Sequence, residues 1–211
     1  MSWDYEAKDA KEGSLKAELS SDLERQGISE EDLSNATTEL FDTILQVSPP
    51  EKEEVVLHYI GSSSHSGAGG GKSYKLGNIR LNLNKLFGGI ASGSLVFAGA
   101  TGTLPAWAFL AAAISLWASL RGVTSVDVSE NEVGVLLTLW KLKDSSNVVH
   151  ESEQDILTAT NAFISKQGRN ALGIADVRVA IKNLEKIRSI KPARGGGWFV
   201  VEWVRVSYEA T

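Results

Sequence analysis

The stretch "SGAGGGKS", Ser66 to Ser73, closes on the Gly-Lys-Ser with which a phosphate-binding loop presents its lysine and its hydroxyl. In such a loop a first glycine stands five positions ahead of the second, and the Lys-Ser opens a helix whose N–H groups face the phosphates. Residue 66 is serine, and Lys72-Ser73 runs into "YKLGNIRLNLN", which alternates like a strand. No carboxylate follows before Asp127 to hold magnesium. These residues read as a flexible turn, and no nucleotide is expected as a partner.

Other catalytic chemistry has equally little to work with. The chain has no cysteine, which excludes disulfides, thiolate metal sites and thiol nucleophiles. His58, His65 and His150 are scattered without ligand spacing, so neither a zinc site nor a hydrolase triad is indicated. Ser62, Ser63 and Ser64 stand beside His65, but within a Gly/Ser-rich segment that would not hold them in register. The reading is a protein that is not an enzyme, with no metal and no cofactor.

Charge points instead to separate modules. Residues 1–60 carry 15 acidic and 5 basic side chains, and residues 61–126 carry 5 basic and no acidic ones. Residues 127–165 turn acidic again, 7 against 2, and residues 166–211 are basic, 9 against 4. Blocks of this kind suggest three parts, 1–60, 61–126 and 127–211, and the basic C-terminal block suits a polyanion. The acidic, polar start lacks the order of a signal peptide, so a cytoplasmic location is expected, with inner-membrane association if a later apolar stretch inserts.

The elements follow from caps and periodicity. "SLKAELSSDLERQG" places Leu15, Leu19 and Leu23 at helical spacing and stops at Gly27. "SEEDLSNATTELFDTILQVSPP" opens on Ser29 with Asp32 three residues on, and its Leu33, Leu40, Phe41, Ile44 and Leu45 predict one helix up to the prolines. Residues 53–61 and the alternating Ile79, Leu81 and Leu83 predict two strands joined as a hairpin across the Gly/Ser-rich turn.

From Phe87 to Leu120 no residue is charged. The length allows a membrane hairpin broken near Pro105, or a buried helix pair whose Leu95, Phe97, Trp107, Phe109, Leu110, Ile114, Leu116 and Trp117 pack in a core or an oligomer. Both readings stay open on sequence.

Residues 127–211 carry the clearest signals. Ser129 with Glu132, and Ser152 with Asp155, are capping boxes that open two helices. A third helix over 175–187 puts Val177, Ile181, Leu184 and Ile187 on one face and Arg178, Lys182, Glu185 and Lys186 on the other. The strands "IRSIK" and "WFVVEWVRVSY" follow, joined by "PARGGG". This order, over about residues 127–209, resembles the winged helix-turn-helix superfamily. The resemblance rests on order and pattern, not on an invariant motif. It implies a C-terminal winged-helix domain, which with the elements read above makes an α+β, mostly helical chain: N-terminal helices, a β-hairpin, an apolar helix pair and that domain.

The resemblance further implies duplex DNA as partner, with a DNA-binding transcription regulator as the function. The third helix would meet base edges through Arg178, Lys182 and Asn183, with Lys186 on the same face. Arg188, Lys191 and Arg194 would hold phosphates around a wing at 191–197, and a homodimer would match repeated half-sites. The competing reading is a membrane-associated or oligomerising adaptor that uses 87–120, with the winged helix as a protein-interaction module.

Overall fold

A computed structural model of the chain describes residues 3–51, 77–92, 106–123, 128–166 and 169–208. Among these residues the fold is α+β, with seven helices and two small antiparallel sheets. The candidate strand at 53–61, the 66–73 turn and the serines beside His65 lie outside the described residues, as do Leu95 and Phe97.

Helix α1 (Tyr5–Arg25) and helix α2 (Glu30–Ile44) form an antiparallel pair at the N-terminus. Asp4 caps the first through the Ala7 N–H at 3.0 Å, and Ser29 caps the second through Asp32. Leu15, Leu19 and Leu23 are buried, as their spacing predicts. The second helix ends earlier than its apolar pattern suggests. Leu45 belongs to strand β1 (Leu45–Val47), whose inward Leu45 and Val47 flank an exposed Gln46. Leu45 fits either period, and pairing with β2 (Ile79–Asn82) decides it.

The charge-free stretch supplies most of α3 (Asn84–Ser92) and all of α4 (Ala106–Leu120). No helix among the described residues is long and apolar enough to cross a membrane. Trp107, Phe109, Leu110, Ile114, Leu116 and Trp117 are all buried. The two helices rest chiefly on other elements: α3 on α2 and α5 (Glu130–Leu142), and α4 on α1, α2 and α5. Gly134 lets this happen, because a Cβ there would lie 3.2 Å from the Trp107 ring. A helix apolar on every face has to be enclosed, and this one is enclosed by the chain itself.

After α5 come β3 (Val148–Val149), α6 (Glu153–Ser165), α7 (Ile174–Lys186), β4 (Ile190–Pro192), β5 (Trp198–Val200) and β6 (Trp203–Val206). Both capping boxes form as the sequence predicts. The run expected as a single strand from Trp198 is two strands in different sheets. β5 lies between β3 and β4, and β6 pairs with β2. Segments that the charge pattern sets apart therefore share one sheet.

Glu202 stands at the switch between the sheets and is tied from three sides. Its carboxylate accepts from Lys143 Nζ at 2.6 Å, Asn84 Nδ2 at 2.8 Å and Trp140 Nε1 at 3.1 Å. Burial works to raise its pKa, but these donors outweigh it and hold the carboxyl below its ordinary value.

Candidate nucleic-acid interface

Helix α7 is amphipathic in the way its sequence requires. Val177, Ala180, Ile181 and Leu184 are buried against α5 and α6, and the Asp176 carboxylate accepts the Gly173 N–H at 2.8 Å to close its first turn. The opposite face exposes Arg178, Val179, Lys182 and Lys186. Val179, 56 % exposed, is the one large apolar side chain there.

The seven residues expected to meet DNA divide into two groups. Arg178 Nε lies 2.7 Å from Glu153 Oε2 on α6, and the Asn183 amide donates to Glu132 Oε1 on α5 at 2.8 Å. Glu132 is itself buried and also accepts the Ser129 N–H at 2.9 Å, so Asn183 helps fasten α7 to the start of α5. Lys182, Lys186, Arg188, Lys191 and Arg194 are exposed, and no carboxylate among the described residues lies within ion-pair distance of them. Among the described residues, five cations without a carboxylate partner thus run along α7 and its following hairpin.

The hairpin turn is held by Ala193 N–H to Gly197 O at 3.0 Å and Gly196 N–H to Ala193 O at 3.2 Å. Gly195, Gly196 and Gly197 all have positive φ. Gly197 also has no room for a side chain, since a Cβ would fall 2.0 Å from the Val149 carbonyl oxygen of β3. That close approach is what brings the short β3 alongside β5 and makes the hairpin a three-stranded sheet.

Sequence reasoning missed two contributors. Two-residue β3 is too short to show a period. Arg121, at the end of α4, stands close enough to Arg188 that burial and then the Arg188 charge push its guanidinium below the ordinary value. Nothing local in the sequence signals that proximity.

Elsewhere a cleft of about 400 Å³ opens between the start of α5 and the 169–172 turn, lined in part by Trp107, Glu130 and Arg169. Arg169 is ion-paired with Glu130 and lies 5.3 Å over the Trp107 ring, so its charge is already matched. Among the described residues, no group of three or more His, Asp or Glu side chains is placed to hold a metal ion. Comparisons of the chain with protein-family models, with curated proteins and with solved structures found no match.

Proposed function

We propose that residues 128–200 form a winged helix whose third helix and glycine-rich hairpin bind duplex DNA, and that the protein acts as a non-enzymatic DNA-binding regulator. What supports the fold is the order α5, β3, α6, α7, β4, β5, with the short β3 pairing back onto the hairpin. What carries the function is the row of exposed cations Lys182, Lys186, Arg188, Lys191 and Arg194, none with a carboxylate partner among the described residues. Such cations displace condensed counterions from phosphates, and a helix with one solvated face fits the major groove.

Within this reading Lys182 and Lys186 face the groove, and Arg188, Lys191 and Arg194 hold the backbone. Arg178 reaches a base only by leaving Glu153, and Asn183 stays with Glu132. A second reading, docking of a protein partner on the same face, is favoured by Val179, whose exposed branched side chain does nothing for phosphates.

Fluorescence anisotropy of a labelled duplex tests the two readings. DNA binding predicts affinity that falls steeply as salt rises, and a shallower slope after charge reversal at Lys182 or Arg194. No affinity at low salt would remove the regulator reading.

A further inference from the structure

Helices α1, α4 and α7 end in the same way. In each, two N–H groups turn back onto the last carbonyls: Gly27 to Glu24 and Ile28 to Leu23, Gly122 to Ser119 and Val123 to Ala118, Arg188 to Glu185 and Ser189 to Leu184. The first residue of each pair adopts a left-handed conformation, with φ of 87°, 70° and 58°. Glycine takes that conformation without a Cβ clash, and two of the three are glycine. The third is arginine, exposed and free of any carboxylate partner among the described residues. Backbone preference does not explain Arg188.

A second guanidinium stands beside it on the same support. The buried indole of Trp117 donates to the Ile187 carbonyl oxygen at 3.0 Å, immediately before Arg188, and Arg121 lies 5.6 Å over that indole ring. Arg121 is half-buried, its Nε is enclosed without a hydrogen-bond partner among the described residues, and no carboxylate among them is within ion-pair distance. Two like charges held close together repel, and an oxyanion bound between the two guanidinium groups would offset that repulsion.

We propose that Arg121 and Arg188 form a phosphate clamp for the DNA backbone at the C-terminal end of α7, so that the interface extends onto α4. The inference rests on the DNA reading above. It adds a residue from outside the C-terminal module and gives Arg188 a role separable from folding.

The test is duplex affinity across a salt series for the full chain and for Arg188→Gly, Arg188→Asn and Arg121→Gln, with urea unfolding of each and a titration with inorganic phosphate. Arg188→Gly relieves the left-handed strain, so its urea midpoint should equal or exceed the wild type's. Its salt slope should shrink by about one and its affinity should fall about eightfold at 0.1 M salt, with Arg121→Gln behaving alike. Wild-type binding that these variants leave unchanged would overturn the clamp and spare the DNA reading. A wild type that binds no duplex at low salt would overturn both. Saturable phosphate binding that Arg188→Gly abolishes, with duplex affinity unchanged, would assign the pair to a free ion and overturn the proposal.

Discussion

Helices α4 and α7 differ by two residues in length and close with the same hydrogen-bonded turn, yet they are built for opposite purposes. α4 has no charge and is buried on nearly every side. α7 buries one face and gives the other to cations. At their ends α4 has Gly122 where α7 has Arg188. A non-glycine residue in that conformation costs about 1 kcal/mol, so the end of α7 gives up stability that the end of α4 keeps. Trp117 joins the two, packing in the core from α4 while bonding to the last turn of α7. One helix fixes the position of the other.

The largest effect should come from breaking that join. Trp117→Ala removes a fully buried indole and should lower stability by about 3–5 kcal/mol in urea unfolding. Trp117→Phe should cost about 1–3 kcal/mol, because it keeps one aromatic ring but leaves the Ile187 carbonyl without its donor. Equal losses for the two variants would show that the hydrogen bond, which both remove, carries the join and that the packing of the ring adds nothing.

Next in size is the sheet beside α7. Gly197→Ala drives a Cβ into the Val149 carbonyl at a positive φ and should cost about 3 kcal/mol. Gly195→Ala, with open space around it, should cost about 1 kcal/mol from conformation alone. Unfolding midpoints for the pair separate clash from strain. If they match, β3 does not approach the hairpin as described.

Glu202 then tests whether the parts are coupled. Glu202→Gln should cost about 2 kcal/mol at pH 7, where hydrogen bonds to the charged carboxylate are lost. The folded carboxyl titrates below its ordinary 4.5. Above that pH the group is ionised in both states and its contribution is full. As pH falls, the unfolded chain takes the proton first, and the contribution fades down through the folded pKa. Urea midpoints of wild type and variant should therefore converge on acidification from neutral pH, and a constant gap would contradict the depressed pKa.

Smaller again, Arg188→Gly should raise stability by about 1 kcal/mol, the reverse of what losing a structural arginine would do. Arg178→Ala should change stability by about 0.5 kcal/mol or less, since its pair with Glu153 is exposed.

Several helices of this molecule were readable because they carry their own cap and period: Ser29, Ser129 and Ser152 open three of them as expected. The sequence did not separate β1 from α2 or divide β5 from β6. β1 and β5 are three residues each, too short to show a period of their own, and partners far along the chain decide their pairing. The candidate site divides along the same line. Exposure of Lys182 and Lys186 follows from the amphipathic pattern of α7 alone. That Arg178 and Asn183 would find Glu153 and Glu132, or that Arg121 would stand by Arg188, depends on how helices pack, which no local pattern records.

The contrast between an enclosed α4 and a presenting α7 can be tested residue by residue. Backbone amide shifts of the labelled full-length chain, followed as a short duplex is titrated in at low salt, report where the polyanion lands. DNA binding at this face predicts shifts on the outer face of α7, at Arg121 and Arg188 and through 191–197, with α1 and α2 unmoved. Shifts confined to other surfaces, or none at all, would contradict it.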